Sequence, residues 1–104
     1  MDFSKFEVSV ESFTVLGETV YLKQLTGKQI TEYQKKVQAK DAARAFSELI
    51  SMSLCDVDGV LLLTTIEQKE SIQNWNMKAL MAFGEVINKF NGLGEDAKEE
   101  AEKN

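Results

Sequence analysis

The sequence contains no histidine and no proline, and its only cysteine is Cys55. Without histidine the chain lacks the commonest general base and metal ligand, and it cannot form a Ser-His or Cys-His nucleophile pair. One cysteine excludes an internal disulfide, and because apolar residues flank Cys55 we expect a buried thiol. Without proline, the connections must turn at glycine, asparagine and aspartate.

Long apolar runs are also missing, since the longest, residues 60–63, is far short of the ~20 residues of a membrane span. Residues 1–5 carry neither the basic nor the apolar region of a signal peptide. We therefore expect a cytoplasmic protein without a membrane segment. The 104 residues, 43% of them hydrophobic, suffice for one domain with a single core.

The net charge outside the C-terminus is small, although charged residues of both signs are common. The net charge is −5, and residues 95–104 hold five acids and two lysines, which leaves −2 for the rest. The densest basic stretch, residues 28–44, is interrupted by Glu32 and Asp41 and is typical of a solvated helix face. We therefore expect no nucleic-acid partner.

Two strands are predicted near the N-terminus. Apolar and polar residues alternate from Phe6 to Val10, which indicates a half-buried strand. A turn at Gly17-Glu18 precedes residues 20–25, which are rich in β-branched and aromatic side chains. Residues 6–25 therefore predict a β-hairpin, which must pack on another element to be stable.

Capping residues mark the helix starts that follow. Thr26 with Gln29 and Thr65 with Gln68 have capping-box spacing, and Asn74 or Asn76 can cap the last helix. Apolar residues at helical spacing predict two helices, or one bent helix, between residues 26 and 54. The expected fold is α+β and mainly helical, with an N-terminal β-hairpin packed on four or five helices.

The folded part is expected to stop near Gly94. Asn91-Gly92-Leu93-Gly94 is a helix-ending pattern, because glycine adopts the left-handed C′ conformation without steric cost. The segment after it has no large apolar residue to bury. We predict one globular domain over residues 1–94 and a flexible, disordered acidic tail over residues 95–104.

Motifs for chemistry are weak. Thr26-Gly27-Lys28 lacks the other glycines of a phosphate loop, and Glu67 with Glu70 is typical of a solvated helix face. Asp56 and Asp58 resemble the opening of a calcium loop, but Val60 occupies its fifth position. We therefore predict a turn at Asp58-Gly59 that joins two short extended segments. We expect no enzyme, no catalytic or metal-binding residues and no cofactor.

Apolar surface on the last helix is the remaining functional signal. It is wider than one core-facing stripe, so part of it is a candidate contact with a partner. The alternative is a helix buried on two sides within the core. We also expect self-association, with the exposed hairpin edge as a second candidate contact. The partner-binding hypothesis names Trp75, Phe83, Ile87, Phe90 and Leu93.

The order of these features resembles the tail assembly chaperones of long-tailed (siphovirus-type) bacteriophages, the short lambda-like minor tail protein family encoded before the tape-measure protein. The resemblance covers most of the chain. It rests on three segments in order, residues 20–27 (VYLKQLTG), residues 55–61 (CDVDGVL) and residues 87–93 (INKFNGL), followed by the acidic end EEAEKN.

The resemblance implies a non-enzymatic chaperone that binds and solubilises the tape-measure protein in the host cytoplasm and is absent from the mature virion. It also implies that ribosomes slip by −1 near the end of the frame, which adds a segment that recruits tail-tube protein. Glu102-Lys103-Asn104 can be encoded by a slippery A-AAA-AAC run. Two alternatives stay open, a small interaction or regulatory subunit of a larger complex and an acidic nucleic-acid mimic, although spread basic residues argue against the mimic.

Overall fold

The computed structural model describes residues 1–36 and 41–93, and the predicted α+β fold class is confirmed. The described residues form a three-stranded antiparallel sheet in the order β1-β2-β3, four α-helices and one short 3-10 helix. The elements are the 3-10 helix Phe3–Phe6, β1 Val10–Val15, β2 Glu18–Lys23, α1 Gly27–Lys36, α2 Ala42–Ser53, β3 Leu54–Cys55, α3 Ile66–Ile72 and α4 Met77–Phe90.

The predicted hairpin is present as β1 and β2, joined by a two-residue turn. Val15 pairs with Glu18, and between them Leu16 and Gly17 both have positive φ, at 48° and 83°. Two positive φ values match the type I′ turn, whose twist suits paired strands. Leu16 adopts this conformation at a steric cost that Gly17 does not have.

The first strand begins later than predicted, so the expected start at Phe6 is wrong. Asp2 accepts a hydrogen bond from the Ser4 amide at 2.9 Å and caps the 3-10 helix that contains Phe6. At Ser9, the side-chain Oε1 of Gln24 accepts the amide hydrogen bond in place of a strand carbonyl. The regular ladder therefore starts at Val10, and the alternation before it reflects exposed apolar residues.

Local capping fixes the helix starts, as predicted. Thr26 and Gln29 exchange hydrogen bonds of 3.0 and 2.9 Å, and Thr65 and Gln68 form a complete capping box. Of the two asparagines considered for the last helix, Asn76 is the cap, accepting from the Ala79 amide. Asp41 caps α2, so α1 and α2 are separate helices, with residues 37–40 outside the described part.

A single hydrophobic core joins the sheet to helices α2, α3 and α4. Helix α4 packs against α2 on one side and against β1 on another, while α3 packs on α2. The Ser53 hydroxyl donates to the Lys23 carbonyl at 2.8 Å and ties the end of α2 to β2. The core side chains are Val15, Leu22, Leu25, Leu49, Ile50, Leu54, Ile72, Leu80, Phe83 and Ile87.

Strand β3 is one of the two short extended segments predicted around Asp58-Gly59, but the sequence did not predict its pairing with β2. Its two residues pair with β2, Tyr21 with Cys55 and Leu22 with Leu54, and the chain then turns at Asp58-Gly59. The Asp56 side chain accepts from the Asp58 and Val60 amides, which stabilises the predicted turn. Both the predicted domain end at residue 94 and the predicted tail 95–104 lie outside the described residues.

Candidate partner-binding surface

The five residues of the partner-binding hypothesis occupy different depths. Phe83 and Ile87 are buried in the core, at 8% and 0% exposure. Trp75 and Phe90 are half-buried and pack against the core, and Leu93 is exposed. For Phe83 and Ile87 the structure therefore favours the alternative of a helix buried within the core. Trp75, Phe90 and Leu93 remain accessible.

A line of half-buried apolar side chains runs along α4 beside the core. Ala79, Ala82, Val86 and Phe90, here called the α4 stripe, all have intermediate exposure. Their spacings of three and four residues place them on one face of the helix. Two of the four are alanines, so another chain can approach the helix backbone closely along this line. The stripe is thus a half-buried apolar surface along one helix.

An aromatic pair stands at each end of the α4 stripe. The Trp75 ring lies 5.7 Å from the Phe83 ring near the beginning of the helix, and the Phe13 ring of β1 lies 4.8 Å from the Phe90 ring near its end. Both pairs are tilted, an arrangement that favours ring contact. In each pair, one ring belongs to α4 and the other lies outside the helix. The two contacts hold α4 in place near both ends of the stripe.

Charged side chains border the α4 stripe on the side that faces away from the core. Lys78, Glu85 and Lys89 are exposed on the same helix, and the Lys89 Nζ lies 3.4 Å from the Glu85 Oε1. An exposed ion pair of this kind contributes little to folding. Its place beside an apolar stripe resembles the polar rim that surrounds the apolar centre of protein interfaces.

The opposite side of α4 is closed by α2. The Phe46 ring lies over Gly84, and a Cβ added at Gly84 would approach the ring carbon Cε1 within 2.5 Å. Glycine is required here because any side chain would push the two helices apart. Since α2 covers this side, any partner of α4 has access through the stripe.

The C-terminal end of α4 is tied to the β2–α1 connection. The Asn91 Oδ1 accepts from the Leu25 amide at 2.7 Å, and its Nδ2 donates to the Ile87 carbonyl at 2.8 Å. The Gln24 Nε2 donates to the Phe90 carbonyl at 3.2 Å. We call Gln24, Leu25, Phe90 and Asn91 the α4 clamp. It fixes the helix against the sheet and so fixes the stripe.

The chain leaves α4 through a Schellman motif. Gly92, with φ 73°, donates to the Lys89 carbonyl at 3.1 Å, and Leu93 donates to the Asn88 carbonyl at 2.7 Å. These two bonds satisfy carbonyls that a helix end otherwise leaves unpaired. The predicted helix-ending role of Asn91-Gly92 is confirmed, and Leu93 emerges exposed beyond the stripe.

Other exposed apolar residues are more scattered. Phe3 and Phe6 contact each other on the 3-10 helix, and Val57, Val60 and Leu62 belong to the turn after β3. Short turns and a single 3-10 turn offer less rigid platforms than a 14-residue helix held at both ends. The α4 stripe is therefore the better candidate for specific binding.

The single thiol is buried, as predicted, with Cys55 2% exposed. Burial raises the pKa of the Cys55 thiol, and the Asp56 carboxylate raises it further. A protonated, inaccessible thiol is a poor nucleophile. The described residues contain no cluster of three or more acidic or cysteine side chains suited to a metal ion. None of the described helices has the length and apolarity needed to cross a membrane.

The raised pKa of Cys55 predicts a loss of stability at alkaline pH. Above the usual thiol pKa of ~8.5 the unfolded chain binds fewer protons than the folded chain, so the free energy of unfolding falls as pH rises, by at most ~1.4 kcal/mol per pH unit. Urea unfolding between pH 7.5 and 9.5 measures this slope, and Cys55→Ala should flatten it. An unchanged slope in Cys55→Ala would assign the loss to other groups.

The sequence pattern did not single out Ala79, Ala82, Val86 or Phe13. Spacing of apolar residues by three and four along 79, 82, 86 and 90 was the signal that could have found the stripe. Comparison with known proteins gives no further guide, because no family model, no curated protein and no solved structure matches this chain.

Proposed function

We propose that this protein is a tail assembly chaperone that binds and solubilises a tape-measure protein through the α4 stripe. The observation that carries the proposal is a half-buried apolar stripe bordered by charged residues on one helix. The resemblance of residues 20–27, 55–61 and 87–93 to phage tail assembly chaperones supports the same proposal. The chemistry is binding only, without a reaction step.

The partner suited to this stripe is an amphipathic helix. Such a helix places apolar residues at positions i, i+3, i+4 and i+7, and the alanines of the α4 stripe leave room for larger side chains from it. A tape-measure protein rich in coiled-coil sequence would offer many such segments. Because the stripe has only four residues, each contact would be weak, and many copies along one long chain would keep it in solution.

We predict that Val86→Glu weakens binding of the tape-measure protein at least about tenfold, which is ~1.4 kcal/mol. The new carboxylate would be buried without a partner in the complex, whereas in the free protein it can reach water. Co-expression with the tape-measure protein, followed by measurement of its soluble and co-purified fractions, provides the test.

Met81→Glu is the matched control, because Met81 lies on the same helix but outside the α4 stripe and is 57% exposed. It introduces the same charge and should leave binding unchanged. Thermal unfolding of both variants separates loss of binding from loss of folding. Equal binding by Val86→Glu and the parent protein, or an equal defect in Met81→Glu, would contradict the role of the stripe.

The proposal extends to recruitment of tail-tube protein by a minor, longer product made by −1 slippage. In that product the folded part would bind the tape-measure protein while the added segment binds the tube subunit. Linking two binding segments in one chain raises the effective concentration of tube protein at the tape measure. This part of the proposal requires a slippery run and an open −1 frame in the coding DNA.

A further inference from the structure

The two edges of the sheet differ in whether another segment pairs with them. Beyond β3 the chain returns along the sheet, where Leu61 bridges to Cys55 and the Leu62 amide donates to the Leu54 carbonyl at 3.2 Å. The outer edge of β1 pairs with none of the residues that the structure describes. Unpaired edges of this kind are templates for another strand.

The pairing with β2 determines which backbone groups of β1 face outward. The Gln24 amide donates to the Ser9 carbonyl at 2.9 Å, so the backbone of Ser9 faces β2, although its own amide bonds to the Gln24 side chain. Hydrogen-bonded and non-hydrogen-bonded pairs alternate along an antiparallel ladder. The residues bonded to β2 are therefore the odd-numbered ones, and Val10, Ser12 and Thr14 direct their N–H and C=O groups away from the sheet.

These outward groups are complementary to a second copy of themselves. If two β1 strands run antiparallel about a twofold axis with Ser12 opposite Ser12, then Val10 lies opposite Thr14 and all the outward groups pair. A register with Val10 opposite Ser12 places the two Glu11 carboxylates opposite each other, which is unfavourable. A register with Ser12 opposite Thr14 places Val10 opposite Leu16, a turn residue whose φ is positive. Of these three registers, only the centred one avoids both problems.

We propose that this protein pairs with a second copy of itself through β1, in antiparallel register centred on Ser12, to form one continuous sheet. In this register Glu11 lies opposite Phe13 of the second copy, so no like charges face each other. Phe13 and Phe90 are both half-buried, with ring centroids 4.8 Å apart, and an added strand beside β1 would cover them further. The inference rests on the backbone edge of β1 and does not require the proposed function, although Phe90 belongs to both surfaces.

Cysteine cross-linking tests the register directly. Residues opposite each other in a hydrogen-bonded antiparallel pair have Cα atoms about 5.5 Å apart, which is within disulfide reach. Ser12→Cys should therefore form a disulfide-linked dimer under mild oxidation. Thr14→Cys is the control on the same edge and face, since the two Thr14 positions lie about 13 Å apart along the strands at ~3.3 Å per residue.

We expect Ser12→Cys to yield about ten times more cross-linked dimer than Thr14→Cys, because disulfide geometry is strict. The native Cys55 does not interfere, since it is buried. Equal cross-linking of the two variants would mean random collision and would overturn the proposal. So would sedimentation of the parent protein as a strict monomer at high micromolar concentration.

Ser12→Pro supplies a second, independent test. It removes an outward N–H, while the ladder between β1 and β2 does not use that group. Sedimentation should show that the Ser12→Pro dimer has dissociated. Thermal unfolding should give a melting temperature close to that of the parent protein. If Val86→Glu dissociates the dimer and Ser12→Pro does not, the contact between copies is the α4 stripe and the edge proposal is wrong.

Discussion

Replacing Ile87 with alanine is expected to lower the free energy of unfolding by about 3–4 kcal/mol, because it removes buried methyl and methylene groups and leaves a cavity. Ile87 is fully buried on α4 and belongs to the core cluster that includes residues from both the sheet and α2. Interior packing is dense, so neighbouring side chains fill such a gap only in part. The expected fall in melting temperature is about 15–25 °C for a domain of this size.

The adjacent position provides the matched comparison for this change. Val86→Ala removes apolar groups from a half-buried site on the α4 stripe and should cost about 1 kcal/mol. Thermal and urea unfolding measure both losses, and sedimentation measures mass. If Ile87→Ala changed mass or partner binding without lowering the melting temperature, Ile87 would act at an interface and the core assignment would be wrong.

The second large effect is expected at the α4 clamp, where Asn91→Ala should cost about 2–3 kcal/mol. Loss of the Asn91 side chain leaves the Leu25 amide without its acceptor, and Leu25 is only 6% exposed. A buried donor left unpaired carries most of its desolvation cost. The bond from Asn91 to the Ile87 carbonyl is lost at the same time.

Asn88→Ala is the control for Asn91→Ala, because its side chain makes no hydrogen bond to the residues that the structure describes, and we expect a change below about 0.5 kcal/mol. Asn91→Asp keeps the acceptor for Leu25 but loses the donor and adds a negative charge at a helix C-terminus, so its loss should be intermediate. Equal stability of Asn91→Ala and the parent protein in urea unfolding would show that water replaces the clamp.

The sequence was informative wherever a structure depends on neighbouring residues. Thr26, Thr65 and Asn76 mark helix starts because their side chains bond to amides three residues away. The start of β1 was misplaced because its limit depends on Gln24, fifteen residues from Ser9. Strand β3 has two residues, too few to show a period of two, and it exists only because β2 is beside it.

The sequence predicted which helix carries the candidate surface, but it did not predict which face of that helix is accessible. The apolar pattern of α4 is wide, and the sequence does not say which part of it the rest of the chain covers. Phe46 covers Gly84 from α2, and Phe13 covers part of Phe90 from β1, contacts that join distant residues. Ile87 is therefore inside while its neighbour Val86 is accessible, a difference that helical periodicity alone does not resolve.

The α4 clamp also determines how the domain responds to mechanical tension. A pull applied through the chain beyond Leu93 reaches the end of α4, where Asn91 and Gln24 link it to the start of α1 and the end of β2. These links resist the pull together with the helix, so force is shared with the hairpin and does not unwind α4 one turn at a time. A domain pulled at this point would therefore keep α4 folded under a load that would fray a helix without the clamp.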